Sequence, residues 1–465
     1  MRRIYQNMQI FSGYNRICLC YRIASRFMKK HFSYLCILLF IGFLNGSETV
    51  QAQLPCKVLV GYLQTSWGTD IRLKDVNSNY NVICLAFFEA GGLDGNPTDN
   101  VVDSLSFYSR ENAYLLADIP VVQAQGRRVL MSIGGSDGSF KLNNSTDVNT
   151  FVSKTKAIIQ TYGLDGIDID LEQQTYLNQT GTISNPSTHI ANLISGLQQL
   201  LAWYQTTYSK KMILTLVPET AYVTGGLSSY EASTYGVPYL AVIEALRNDI
   251  DLLMVQLYNA GSQVGLDNVS YNQGTIDFVL SQTEAIIYGF TCKSAKGVYK
   301  GMPASKVVVM LPADPAGQGY VTSSDLQLAI PYLTGQTTNQ PGAYALGNSY
   351  PDLRGMGAWS INIDNDNGYG FATTYASLFN CTATATENAQ QVNNALNVYP
   401  NPAKGTVTIE KSTEATQHVQ IVNTFGEVIK EQEMTDTQMT IDISNYPAGL
   451  YMIKIGEATQ KLVIE

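Results

Sequence analysis

Histidine is scarce in this 465-residue chain, which contains only His31, His189 and His418. Three scattered imidazoles argue against a histidine-rich zinc centre and against a Ser-His-Asp triad. Charge is sparse as well, at 14% of residues, and the formal net charge is −9. That balance excludes a nucleic-acid surface, which needs clustered lysine and arginine. The apolar run from Tyr34 to Leu44 has eleven residues, too few for the roughly 20 that a membrane helix requires. No stable membrane span is expected. A hydrophobic content of 45% describes a well-cored globular chain, and the length suits one large domain with a smaller one beside it.

What the chain does contain is an unusual stretch at residues 163–172, Gly-Leu-Asp-Gly-Ile-Asp-Ile-Asp-Leu-Glu. Ile167, Ile169 and Leu171 alternate with Asp168, Asp170 and Glu172, the period of a β-strand with two different faces. Three carboxyls on one face of an otherwise apolar strand are costly unless hydrogen-bonded, protonated or used. Asp170 and Glu172 have Cα atoms roughly 6–7 Å apart at strand rise, so their carboxyls can meet. Like charges at that separation hold a proton on one partner near neutral pH, which is what general acid catalysis needs. A solvated strand face or a calcium site is the alternative. A calcium loop, however, places its acids on a glycine-containing turn, and no turn residue follows Gly166 here.

Asp165, Asp168, Asp170 and Glu172 together fit the pattern DxxDxDxE, and the stretch resembles the signature of the family 18 glycoside hydrolases, the chitinases and their relatives. Other segments agree. From Lys57 onward, apolar runs recur near 57–62, 81–88, 127–134, 164–172, 211–218, 250–258, 305–312 and 354–361, with helical patterns between them. Eight strands with intervening helices predict an α/β fold, a (β/α)₈ TIM barrel. Asp147 is placed to cap a helix from Val148 to Tyr162, and a second helix is expected from about Pro186 to Tyr204. Trp203 on that second helix reads as core.

Barrel enzymes keep their chemistry at the C-terminal ends of the strands. The third run ends in Ser132-Ile133-Gly134-Gly135, which resembles the family's SxGG motif. The first offers Tyr62 and then Trp67, and the fifth ends in Val217-Pro218-Glu219. In the sixth, Met254, Gln256 and Tyr258 share a face by alternation and Asn259 follows. The eighth ends at Trp359. The resemblance covers about residues 55 to 381 and is closest in pattern to the chitinase D and hevamine-like branch. Other branches carry Asp where Asn259 stands. Only about forty residues separate the seventh and eighth runs, too few for the insertion domain that walls the cleft in some relatives.

The resemblance implies a catalytic set of Glu172, Asp170, Asp168 and Tyr258. It implies sugar contacts from Trp359, Gln256, Met254, Tyr62, Glu219 and Gly134. The implied reaction is retaining endo-hydrolysis of chitin or N-acetylglucosamine oligosaccharides, with no metal and no cofactor. An endo-β-N-acetylglucosaminidase acting on N-glycans is the alternative on the same barrel. A non-catalytic glycan-binding protein is another, although such relatives typically lose the acid and Glu172 is intact. A monomer is expected.

The ends of the chain read differently. Lys29 and Lys30 precede the apolar run, and Val50-Gln51-Ala52 resembles a signal-peptidase site, so residues 1–53 form an expected targeting segment. Met28 would be a better start than Met1. Cleavage would leave Cys56, Cys84, Cys292 and Cys381. Cys84 lies in an apolar run and reads as core, and an oxidising compartment would allow a Cys292–Cys381 disulfide. The barrel is expected over 54–381 and a polar linker over 382–394. Residues 395–465 form an all-β sandwich, with short alternating strands and Gly426 at a hairpin turn. Asn397-Val398-Tyr399-Pro400-Asn401-Pro402 and Pro447-Ala448-Gly449-Leu450-Tyr451 resemble the sorting domain of type IX secretion cargo. This implies the secretion machinery as partner and a secreted or cell-surface destination. A carbohydrate-binding module is the weaker alternative, since no aromatic row is evident.

Overall fold

The computed structural model describes residues 54–89, 106–107, 112–136, 138, 140–172, 181–379, 397–410, 416–423, 428–455 and 458–464. The expected targeting segment, the linker and Gly426 lie outside them. The chain divides into two compact units between Asn380 and Cys381.

In the larger unit, eight parallel strands form one sheet, to which the short strand Ser106–Phe107 adds antiparallel beside Phe88 and Glu89. The eight are β1 (Val58–Gln64), β2 (Val82–Glu89), β3 (Arg128–Gly135), β4 (Gly166–Leu171), β5 (Ile213–Leu216), β6 (Leu252–Leu253), β7 (Val308–Pro312) and β8 (Gly355–Trp359). The order runs β7-β8-β1-β2-β3-β4-β5-β6. The bridges Leu253–Val307 and Gln256–Met310 join its two ends into a barrel. Each of the eight expected runs contains a barrel strand, the shortest being Leu252–Leu253 in the sixth.

Alternation along each strand sorts its side chains into two cores. Val58, Val60, Val82, Cys84, Leu130, Met254 and Met310 point inward and fill the lumen. Leu59, Ile83, Met131, Ile167, Ile169 and Leu216 point outward, beneath the helices. The acidic face of β4 therefore looks into the barrel and the apolar face supports it from outside. Among the helices, Ser145–Tyr162 is capped by Asn144, whose side chain accepts from the backbone N–H groups of Thr146 and Asp147. This corrects the expected cap at Asp147. Asp147 sits three residues further on and accepts from the N–H of Asn143, the residue before the cap, at 2.7 Å, which ties the incoming chain to the first turn. The next helix spans Thr188–Tyr208 and buries Ile190, Leu193, Leu197, Leu200 and Tyr204. Trp203 on it packs against Tyr204 and Tyr208.

Between β6 and β7 the chain adds two hairpins, Ser262–Val264 with Ser270–Asn272 and Phe290–Cys292 with Gly297–Tyr299. Phe290 and Cys292 alternate inward on the second hairpin. Cys292 is thereby a buried free thiol, whereas Cys56 is disulfide-bonded. The Cys292–Cys381 pairing that an oxidising compartment would allow is not made, since Cys292 is free; Cys381 lies outside the described residues. Between β7 and β8 lies the helix Ser323–Leu333 and no strand.

Among the described residues the smaller unit has seven strands, β9 (Asn397–Lys404), β10 (Thr406–Glu410), β11 (Gln417–Asn423), β12 (Val428–Met434), β13 (Gln438–Asp442), β14 (Gly449–Ile455) and β15 (Ala458–Ile464). They run in the order β12-β11-β14-β15-β9-β10-β13. Val398, Val407, Ile409, Val419, Ile421, Ile441, Tyr451, Ile453 and Ile464 form its core.

Candidate active site

The C-terminal ends of the barrel strands enclose a cleft of about 490 Å³, lined by Trp67, Phe87, Glu89, Ser136, Asp170, Glu172, Glu219, Gln256, Tyr258, Asn259 and Trp359. Its centre is the acidic edge of β4. Asp168 is deepest and fully buried. Its carboxylate accepts from Tyr62 at 2.8 Å, Ser132 at 2.7 Å and Thr215 at 2.5 Å. These three hydroxyls come from β1, β3 and β5, so Asp168 ties the lumen together. Burial pushes its pKa up to about 6, and the three hydroxyls pull against that rise.

One alternation further along β4, Asp170 is also buried. Burial, then the negative charge of Glu172 beside it, raise its pKa well above the carboxylate range. The side-chain amide of Gln256 donates to Asp170 Oδ1 at 3.1 Å and to Glu172 Oε1 at 3.1 Å. The charge of Glu172 and a side-chain hydrogen bond between the two carboxyls both favour a proton on Asp170, at the cleft floor beside the neutral amide of Gln256. Tyr258 is buried with its phenol pKa raised by burial and by Asp170, so it remains a hydrogen-bond donor at neutral pH. Trp359 stacks on Phe87 at 5.6 Å and 13°, and Phe87 on Trp67 at 6.0 Å and 27°. Such aromatic faces suit the apolar face of a sugar ring.

Asp165, the first acid of the motif, stands apart from the cleft. It accepts from the Val129 N–H at 3.0 Å and from Gln123 at 2.9 Å, pinning β4 to β3 at the opposite end. Glu172, Asp170, Tyr258, Trp359, Gln256 and Glu219 come together in the cleft. Tyr62, Met254 and Gly134 are not among its described lining residues. Tyr62 works from below through Asp168, and Met254 is buried in the lumen. Gly134 has φ +117°, and a Cβ there would lie 2.2 Å from the Asp170 carbonyl oxygen. Only glycine lets β3 approach the end of β4 this closely.

Sequence reasoning missed Phe87, Glu89 and Ser136, although Phe87 and Glu89 stand at the end of β2, where barrel chemistry gathers. It missed Thr215 too, a polar residue at an inward position of an otherwise apolar strand. That pattern was a readable signal.

Barrel and site define a carbohydrate-hydrolase architecture, and comparison with known proteins makes it specific. Residues 58–424 match the glycosyl hydrolases family 18, so the chain belongs to that family. Residues 397–465 match the secretion system C-terminal sorting domain, the type IX cargo signal that marks a chain for export. Residues 397–424 fall in both matches and belong structurally to the smaller unit. The chain is 37% identical over 354 residues to chitinase Chi52 of Paenibacillus xylanexedens, covering 74% of this chain and 65% of that one. It is 35% identical to chitinase D of Niallia circulans, covering 70% of this chain and 62% of the relative. It therefore spans somewhat under two thirds of these relatives. Among solved structures, a family 18 chitinase from Chromobacterium violaceum superposes with a TM-score of 0.61 at 30% identity, covering 72% of this chain and 86% of that one.

Proposed function

We propose that this protein is a secreted endo-chitinase that cleaves β-1,4 links between N-acetylglucosamine units with retention of configuration. The observation that carries the reading is the Asp168–Asp170–Glu172 line on the inward face of β4, with Gln256 bridging the last two carboxyls. The names of the similar proteins support chitin as the substrate.

The mechanism follows the substrate-assisted exceptions to two-carboxylate glycoside hydrolysis. Glu172 gives its proton to the glycosidic oxygen as the bond from the anomeric carbon breaks. The substrate's acetamido oxygen bonds to that carbon and forms an oxazolinium ion. Asp170 accepts from the acetamido N–H and balances the positive charge, supported from below by Asp168. Tyr258 donates to the acetamido oxygen, and Trp359 packs under the ring. Water then attacks the anomeric carbon, Glu172 takes its proton, and the acetamido group is restored. The aromatic row Trp67–Phe87–Trp359 extends the cleft to one side of the cut.

Product analysis on chitin oligomers beside a high-mannose glycoprotein tests the substrate. Oligomer cleavage with the β-anomer formed first is expected; release of intact N-glycans with no oligomer cleavage overturns the reading. The short β7–β8 connection supports an open groove and internal cuts. The viscosity of a soluble chitin derivative should then fall before reducing ends accumulate in proportion.

A further inference from the structure

The end of β4 outruns its neighbour. Strand β5 stops at Leu216, the last residue in register, opposite Ile169, and the Val217 N–H donates to the Ile169 carbonyl at 3.1 Å. In a parallel ladder the next rung would join the Leu171 N–H to the Val217 carbonyl. That rung is not formed. The Val217 carbonyl accepts instead from Gln256 Nε2 at 3.1 Å, the same amide that reaches Asp170 and Glu172. Leu171, between those two carboxyls, is left with a buried N–H and C=O on the side where the strand has ended. Left unpaired in the interior, both groups would carry the full cost of lost hydration.

Tyr239 satisfies both. Its hydroxyl accepts from the Leu171 N–H at 2.8 Å and donates to the Leu171 carbonyl at 3.1 Å. The residue comes from the helix Pro238–Ala245, is 1% exposed and does not line the cleft. We infer that Tyr239 is a positioning residue whose hydroxyl replaces the missing strand, fixing the backbone that carries Asp170 and Glu172 and leaving the Val217 carbonyl to Gln256. Burial and the nearby Asp170 hold the phenol protonated, so it keeps the proton it donates. The same opening of the ladder admits Gln256 to the carboxyl pair.

The kinetic consequence rests on the hydrolase reading above; the structural one does not. The test uses the full chain and the Y239F variant, which loses one oxygen and keeps the ring. In wild type the Leu171 amide should resist hydrogen exchange although β5 ends short of it. In Y239F that amide should exchange at least about tenfold faster. On chitin oligomers kcat should fall about tenfold or more, with KM within about twofold, because the acid is held less well at the reacting bond. A Leu171 amide that is unprotected in wild type, or equally protected in Y239F, overturns the clamp, and this holds even if neither protein cleaves chitin. Unchanged kcat in Y239F beside an active wild type also overturns it. A wild type without activity defeats the hydrolase reading alone. If Y239F fails to fold, the wild-type exchange measurement still decides.

Discussion

The hydroxyl of Tyr62 donates to Asp168 Oδ2 at 2.8 Å across the barrel lumen, joining β1 to β4. With Ser132 and Thr215 it surrounds a fully buried carboxyl whose pKa stands near 6. A raised carboxyl pKa means that the fold favours the protonated form. The associated stability is fully present below about pH 4 and is lost as pH rises through 6, to about 3 kcal/mol in all. Asp168→Asn removes this titration. Urea midpoints at pH 4 and pH 8 should show wild type losing stability relative to the variant by roughly that amount. An equal pH response in the two proteins would show that the site stays solvated.

Glu172→Gln should abolish turnover and preserve oligosaccharide binding. The amide is nearly isosteric but carries no transferable acid proton. Loss of at least about a hundredfold in kcat is expected for such a group, with binding read by calorimetry. Activity above that level would remove Glu172 from the acid role.

Asp170→Asn should slow N-acetylated substrates strongly and move the alkaline limb of the pH–rate profile to lower pH. The two carboxyls titrate as a pair, and the negative charge on one helps to hold the proton on the other. A near-normal rate with an unmoved profile would make Asp170 structural only.

Deleting residues 395–465 should leave a folded, active barrel, since the division between units falls between Asn380 and Cys381. In a host with type IX secretion the truncated protein should stall in the periplasm. Fractionation that finds it at the surface or in the medium would overturn the sorting role.

Both folds and the acidic strand were legible in the chain because alternation is a local property. Ile167, Ile169 and Leu171 against Asp168, Asp170 and Glu172 state their faces without any neighbour, and each barrel strand repeats that signal. The matching capping residue was less legible. Asn144 and Asp147 both suit a helix start, and only the observed backbone, extended at Asn144, separates them.

The sequence by itself determined the barrel, the acid pair and the sandwich, because period, turn chemistry and motif spacing are written in consecutive residues. Tertiary structure alone decided which groups surround the pair. Thr215 and Tyr62 meet Asp168 from 47 and 106 positions away, and Gln256 and Tyr239 reach the end of β4 from other elements. It also decided that Cys292 stays a thiol. Such contacts depend on where β5 stops and which way each strand turns, and no local pattern encodes a distance between segments so far apart.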